Sequence, residues 1–465
     1  MAKAPKKAYV CNDCGADFPR WQGQCNMCHA WNTISEVNLA RTPAASARTS
    51  TANSRGGYAG ISGGGAKKIE DVESHEARKM LTKIGELDRV LDDGVTLGSV
   101  VIISGDPGAG KTTLLSQLSC NMSYVMPTMY VSAEESLSQF KNRATGRLRL
   151  KFNSDNFRLL SESSVEAIIE EADRNKIKFM VIDSIQTMVM DGITGQPGSI
   201  SQVKACAGEL NRYCKQNGVT LFLVCHVNKN KDAAGPKTLE HIGDATLHID
   251  TNEGLIRTLR AKKNRFGDVD NVGLFQMNET GMISVDNPSK LFLSGSSRDS
   301  SGSVITCIRD GNRNLLLELQ CLATDTEAEY PQRVCIGVNM NRLKMLSAVL
   351  KKHGGIKIWH DVYFNLVGGL KVGESETSTD LAMIAALLSS LNDHIIPRSW
   401  VFMGEVSLNG DIRPINSGVP RVKEAAKHGF EKIFIPDANY HKSMEETGAS
   451  IIRLKSVGDL LQHIS

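Results

Sequence analysis

The 465-residue sequence contains no apolar run approaching the length needed to cross a bilayer, so no helical membrane span is expected. Its opening residues, Met1 to Lys7, are basic but lack the apolar stretch of a secretory signal, and a cytoplasmic location follows as the expectation. Net charge is also scarce: 54 Lys and Arg face 51 Asp and Glu, for a formal balance of +3. That balance is too small to argue for a nucleic-acid partner by itself and leaves the argument to local clusters. No internal repeat is visible. What remains is ordinary for a globular chain, with 41% hydrophobic and 23% charged residues and enough length for two or three domains with sizeable cores.

Cysteine is the first residue type whose distribution is informative. Of 11 cysteines, Cys120, Cys206, Cys214, Cys225, Cys307, Cys321 and Cys335 are scattered through apolar or mixed stretches, where a reducing compartment favours small buried hydrophobes. The others fall together as Cys11-x2-Cys14-x10-Cys25-x2-Cys28. Two such knuckles can close a tetrahedral thiolate site around Zn²⁺, which supplies most of the folding energy of a unit this small. An Fe–S cluster or disulfides are the alternatives; the short spacing and the expected cytosolic location favour zinc. Spacing does not say what such a module binds.

The chain divides accordingly. Residues 1–35 form the cysteine module, and residues 36–66 a flexible linker of Ser, Thr, Ala, Gly and Arg, including Arg41, Arg48 and Arg55. Strand and helix signals then alternate. Short apolar runs recur at Val100 to Ser104, Thr128 to Ser132, Phe179 to Asp183 and Thr220 to Cys225, with helical patterns at Thr112 to Asn121, Val165 to Asn175 and Ile200 to Gln216. Strands that read as buried on both faces and alternate with helices indicate a parallel sheet covered on both sides, in an α/β fold. Two further strands, Leu255 to Lys262 and Gly273 to Met277, complete a domain of residues 67–286. Residues 287–465 follow the break at Asn287-Pro288-Ser289 as a second α/β domain with a long apolar helix at Ser378 to Ser390.

The chemistry is concentrated in Gly105-Asp106-Pro107-Gly108-Ala109-Gly110-Lys111-Thr112, which follows an apolar strand, opens a helix and meets every position of the phosphate-cradling loop. Its glycines let backbone N–H groups turn inward around phosphates. Lys111 is expected to reach the β- and γ-phosphates of ATP and the Thr112 hydroxyl to coordinate Mg²⁺. Thr113 continues the helix whose positive end faces the same phosphates. Asp183 closes an apolar strand beside this site and is expected to hold Mg²⁺ from the outer coordination sphere. Hydrolysis also needs a group that orients or deprotonates water. Glu134 and Glu135 follow the strand ending at Ala133, and Glu134 is the better placed. Adjacent acids at a strand-to-helix junction also suit a helix dipole, so that reading stands beside the first. His226 ends the strand before it and is either a γ-phosphate sensor or a structural histidine.

Three basic or glycine-rich segments remain. Lys262-Lys263-Asn264-Arg265-Phe266-Gly267 ends a late strand, where Lys and Arg can act across a subunit interface on a neighbour's γ-phosphate as an arginine finger does. The loops Asp191 to Ser201 (Gly192, Gly195, Gly198) and Asn228 to Lys237 (Lys229, Lys231, Lys237) suit a single-stranded backbone, and equally suit ordinary surface loops.

Together these residues resemble the RadA (Sms) family of bacterial DNA repair proteins over essentially the whole chain. The resemblance rests on the four-cysteine module ending in Trp31-Asn32, the phosphate loop and the pentapeptide Lys263-Asn264-Arg265-Phe266-Gly267. A C-terminal region similar to the Lon proteolytic domain adds Gly404 to Leu408, Ile412 to Ile415 and Lys432 to Pro436. It implies a RecA-like ATPase core and a hexameric motor on single-stranded DNA. That motor is like replicative ring helicases in mechanism, and promotes branch migration of recombination intermediates alongside the RecA recombinase. It also implies that Lys263 and Arg265 act across the subunit interface. The Lon enzyme uses a Ser–Lys dyad. Here the ungapped comparison puts Ser378 near the nucleophile's place, while Asn416 to Arg421 stands where the lysine should follow; arginine stays protonated at any workable pH. The domain is therefore expected to be non-proteolytic, with Ser378 as a helix N-cap. Three classes of function compete: an ATP-driven DNA motor, a regulatory ATPase acting mainly through protein partners, and an ATP-dependent protease, the last opposed by the missing dyad.

Overall fold

The computed structural model describes residues 7–11, 17–18, 21–27, 31, 33–38, 68, 70, 78–226, 239–251, 256–293 and 299–464, with backbone alone at 7–11, 17–18 and 34–38. They fall into two compact units, within residues 1–55 and 56–465. In the first, β1 (Lys7–Cys11) pairs antiparallel with β2 (Asp17–Phe18) and β3 (Ile34–Asn38), with Cys11 opposite Ile34. Cys25 is buried, whereas Trp21, Met27 and Trp31 are exposed. Cys14, Cys28 and Asn32 lie outside the described residues, as does nearly all of the expected linker, Arg41, Arg48 and Arg55 included.

The second unit opens with a small ribbon of β4 (Lys79–Met80) and β5 (Val95–Thr96) around the short helix α1 (Gly85–Val90). The strands β6 (Val100–Gly105), β7 (Thr128–Ser132), β8 (Phe157–Leu160), β9 (Phe179–Asp183), β10 (Thr220–His226) and β11 (Ala245–Thr251) are mutually parallel. Then β12 (Ile256–Asn264), β13 (Val272–Asn278) and β14 (Gly281–Ser284) add an antiparallel meander, giving the order β14-β13-β12-β11-β6-β10-β9-β7-β8. Alternate residues of each apolar strand go to opposite faces, which is why the runs read as uniformly hydrophobic. Val101, Ile103, Val181 and Val224 pack under α2 (Lys111–Met122) through its Leu114, Leu115 and Leu118. Val100, Ile102, Ile182 and Leu223 face the opposite layer. There Val165, Ile168 and Ala172 of α4 (Val165–Arg174) meet Val203, Cys206 and Leu210 of α5 (Ile200–Asn217), while the short α3 (Leu137–Lys141) starts on a Ser136–Gln139 capping box.

After α6 (Pro288–Leu293) comes a second sheet, built from β15 (Ser303–Asp310), β16 (Arg313–Asp325), β17 (Arg333–Ile336), β18 (His360–Leu366) and β19 (Trp400–Phe402). A separate ribbon of β20 (Glu405–Val406) and β21 (Ile412–Arg413) precedes its last strands, β22 (Lys432–Pro436) and β23 (Ser450–Leu454), and the sheet order is β17-β18-β16-β15-β19-β22-β23. The helices α7 (Met340–His353), α8 (Asp380–Leu391), α9 (Gly418–Lys427) and α10 (Val457–Ile464) cover it. The apolar helix expected from Ser378 begins as a 3-10 turn, Thr377–Thr379.

The two sheets are not independent. Ile256, Val272 and Leu274 of the first belong to the same apolar core as Phe292, Leu315, Leu317 and Leu343 of the second lobe. The turn between β15 and β16 grips the first lobe: Asp310 takes a bidentate pair from Arg260 at 2.6 and 2.7 Å, and Arg313 pairs with the buried Glu86. Asn312 N–H donates to the Asp270 carbonyl at 2.9 Å. Among the described residues no helix is long and apolar enough to cross a membrane. Cys120, Cys206, Cys214, Cys225, Cys307 and Cys321 are buried and Cys335 partly so, and burial pushes the Cys120 and Cys307 thiols up to about 12.

Candidate active site

The phosphate loop leaves the C-terminal end of β6, in the middle of the parallel sheet, and enters α2. Two of its glycines are there for space. A Cβ on Gly105 would sit 2.5 Å from the Ile249 carbonyl of β11, and one on Gly110, where φ is +102°, would meet Met277 and Met282 within 2.8 Å. Asp106 and Pro107 are exposed at the loop's tip, while Ala109 is fully buried. Lys111 is 4% exposed and donates to the Gly105 and Asp106 carbonyls at 2.7 and 3.0 Å. Burial lowers its pKa, opposed by Asp183 and Asp106. An ammonium held in a dry cradle with two replaceable carbonyl partners is poised to exchange them for phosphate oxygens.

The residues gathered around the expected metal position fit a Mg²⁺ ion. Thr112 Oγ1 and the Tyr130 hydroxyl both donate to Asp183 Oδ2, at 2.8 and 2.7 Å. Asp183 Oδ1 is buried with no partner among the described residues. A hydroxyl and an unsatisfied carboxylate oxygen beside the phosphate loop are the hard oxygen donors this ion takes. Tyr130, which the sequence alone did not single out, is fully buried, and burial and the Asp183 charge raise its pKa well above normal. Its hydroxyl therefore stays a donor that orients the carboxylate.

The adjacent acids have different surroundings. Glu134 is the more open of the two; Ser184 Oγ donates to its Oε1 at 2.5 Å and His226 Nε2 lies 3.3 Å from the same oxygen. Gln186 Nε2 donates to the His226 carbonyl at 3.2 Å, tying the end of β10 to the strand end that carries Asp183. Glu135 turns away into an ion pair with Arg143, whose other nitrogen donates to Ser116 Oγ on α2 at 3.1 Å and whose guanidinium lies 5.1 Å from the Phe140 ring centre. Glu135 thus braces the helix of the phosphate loop, and Glu134 is left exposed beside His226.

A cavity of about 410 Å³ opens over the loop, lined by Pro107, Gly108, Gly110, Lys111, Thr112, Thr113, Arg147, His226 and Met277. Lys263 and Arg265 are not part of it. Register explains why: Ile249 of β11 lies beside Gly105, but Thr246 lies beside Ile102 and pairs with Lys263. At about 3.3 Å per residue, Lys263 is roughly 10 Å back along the sheet from the phosphate loop. Arg265 is further still, its N–H bonded to the Asp244 carbonyl. Lys263 donates to the Glu240 and Gly243 carbonyls at 2.6 and 2.8 Å, whereas Arg265 is half exposed, its nearest carboxylate, Asp244, 3.7 Å away. Burial, then the neighbouring Arg265, lowers the Lys263 pKa. The loop 191–201 is ordered by Gln202, whose amide donates to the Met190, Ile193 and Gly195 carbonyls. Residues 228–237 lie outside the described residues.

In the second lobe the expected N-cap role of Ser378 is corrected. The 3-10 turn is capped by the Glu376 side chain, and α8 starts two residues after Ser378 with no side-chain cap. Ser378 is instead buried against Arg421, which fills the place of a dyad base. Arg421 is 1% exposed and donates to Ser378 Oγ at 2.7 Å, to the Cys307 and Asn416 carbonyls at 2.6 and 2.9 Å, and to both Glu376 oxygens at 3.2 and 2.9 Å. A guanidinium clamped on a carboxylate has no lone pair to take a serine proton.

Comparison with known proteins places these features. The family described as AAA domain matches residues 67–232, Rubredoxin metal binding domain matches 9–36, and Subunit ChlI of Mg-chelatase matches 364–439. The chain is 46% identical over 463 residues to DNA repair protein RadA of Escherichia coli, covering 99% of each chain. It is 45% identical to that of Haemophilus influenzae over 464 residues and 38% identical to that of Bacillus subtilis over 467 residues, again covering 99% of each chain. A crystal structure of a KaiC-like protein from Pyrococcus horikoshii aligns with a TM-score of 0.39 and 20% identity, over 45% of this chain and 99% of that one. With an ATPase core, a metal-binding ribbon and near-complete coverage by these relatives, the chain belongs to the RadA family of DNA repair proteins.

Proposed function

We propose that the chain is an ATP-hydrolysing motor on single-stranded DNA that drives branch migration of recombination intermediates. It works as a homo-oligomer, a hexameric ring, alongside the RecA recombinase. The observation that carries the reading is the separation of Lys263 and Arg265 from the phosphate loop of their own chain. Two cations at the far end of the sheet cannot reach the local γ-phosphate, but they suit one bound by a neighbouring subunit. Within each subunit Lys111 would hold the β- and γ-phosphates, and Thr112 and Asp183 would hold Mg²⁺, which supplies charge neutralisation there. Glu134, fixed by Ser184 and near His226, would orient the attacking water, and His226 would report γ-phosphate occupancy to the loop after β10. Cys11, Cys14, Cys25 and Cys28 would hold Zn²⁺; the buried Cys25 and the all-thiolate donor set suit a structural site. The second lobe supports assembly and is not a protease. ATP turnover measured with and without single-stranded DNA, together with the mass of the assembled particle, tests the reading. Stimulation by DNA in a hexamer is expected. Turnover indifferent to DNA would move the function to protein partners.

A further inference from the structure

Arginine is unevenly employed on the segment that follows the catalytic acids. Arg143 is anchored by Glu135, Ser116 and the Phe140 ring. Arg147, one turn later in the π-helical stretch Asn142–Arg147, is exposed and makes no side-chain hydrogen bond or ion pair among the described residues. Yet its side chain lines the cavity over the phosphate loop, together with Gly108, Lys111 and Thr113. The fixed Arg143 holds this stretch against α2, so Arg147 is carried by an anchored support rather than a loose loop.

The cavity therefore contains two cations in different settings. Lys111 lies at its floor, buried, and Arg147 stands at its mouth. Apart from Arg147, Met277 and His226, every lining residue belongs to the phosphate loop or the first turn of α2, and among the described residues no aromatic ring of Phe, Tyr or Trp lines it to stack on a base. The free guanidinium thus looks onto phosphate-binding surface, for which its planar fork of donors is suited.

We propose that Arg147 is a phosphate clamp acting in its own subunit, closing over the triphosphate of the nucleotide from the mouth of the cavity. It supplies ground-state binding, in contrast to Lys263 and Arg265, which are assigned to hydrolysis across the interface. The inference rests on the ATP reading of the site. It predicts that Arg147→Ala weakens ATP about tenfold or more in Kd and KM, with kcat changed less than threefold, because a contact made equally in ground and transition states leaves kcat alone. Inorganic triphosphate, used as a competitor, should lose affinity to the same degree, and Arg147→Lys should recover part of the loss.

The assay uses the full chain, with equilibrium ATP binding, triphosphate competition and steady-state kinetics on wild type, Arg147→Ala and Arg147→Lys. Lys111→Ala serves as the control. Unchanged Kd and KM in Arg147→Ala overturns the clamp. So does a loss of ATP affinity with unaltered triphosphate competition, which assigns Arg147 to the base, or a drop in kcat at constant Kd. Failure of wild type to bind ATP, or normal turnover by Lys111→Ala, would instead overturn the ATP reading and the clamp with it.

Discussion

Replacing Arg421 by methionine should destabilise the second lobe strongly, and the structure indicates how much. The side chain is 1% exposed and donates five hydrogen bonds, two of them to Glu376, itself 16% exposed. Methionine fills much of the volume but leaves a nearly buried carboxylate and the Cys307 carbonyl without their cationic donor. Breaking a buried pair from one side costs about 3–5 kcal/mol. For a region of this size 1 kcal/mol corresponds to about 2–4 °C, so Tm should fall by roughly 6–20 °C. The loss should depend on pH. Burial tends to raise the Glu376 pKa, but Arg421, Ser378 and the Arg309 N–H together hold it below its usual value. A depressed folded pKa contributes stability that is present above the unfolded value, near 4.3, and is lost as pH falls through the folded one. In Arg421→Met the cation is gone and burial prevails, so the carboxyl destabilises most at neutral pH and least near pH 4, once protonated. Thermal unfolding of both proteins between pH 4 and 8 should show the gap widening with pH, and Glu376→Gln in the variant should recover part of it. A Tm within 2 °C of wild type, or a gap that does not change with pH, would refute the reasoning. Arg421→Lys should not awaken casein cleavage, because Glu376 would keep the new amine protonated.

The remaining predictions concern ATP and metal. Lys111→Ala should reduce hydrolysis below detection in a phosphate-release assay, since the transferred group loses its nearest cation; retained turnover would sink the site assignment. Lys263→Ala and Arg265→Ala should bind nucleotide within a few-fold of wild type yet hydrolyse it about 10³-fold more slowly, the scale of a lost arginine finger. Mixing either with Lys111→Ala subunits should restore part of the activity, and an absence of rescue at every ratio would place the contact within one subunit. Stripping metal with a chelator should unfold the N-terminal unit and release about one Zn²⁺ per chain, read by a chromogenic indicator, while residues 78–464 keep their thermal transition.

How much of this was legible in the sequence depended on the physics behind each signal. The phosphate loop was legible because backbone geometry there admits few alternatives, as Gly105 against Ile249 illustrates. The four strands read as uniformly apolar runs were found within a residue, because burial on both faces leaves no periodicity to misread. β11 was missed: its sequence Ala245-Thr-Leu-His-Ile-Asp-Thr mixes polar and apolar residues, since His248 and Asp250 pair with each other at 3.1 Å beside Arg260. Tyr130, Ser184 and Arg143 carried no signal either, because each gains its role from a partner 27 to 53 residues away. Asp183 at a strand end hinted at its surroundings; the residues that aim it did not. Local helix signals favour Ser378 as a cap, whereas its actual partner, Arg421, is 43 positions distant.

The core shared by the two lobes has a consequence for how this chain comes into being. A ribosome makes the phosphate loop early, but Ile256, Val272 and Leu274 emerge before Leu315, Leu317 and Leu343, the residues that will cover them. Until β15 and β16 arrive, Arg260 lacks Asp310 and Glu86 lacks Arg313. The last strands of the nucleotide-binding sheet therefore mature only after much of the second lobe has been synthesised. A shortened chain ending at residue 286 would expose a greasy flank and leave Arg260 and Glu86 without their shortest ion pairs, and would aggregate more readily than it would serve as a minimal ATPase.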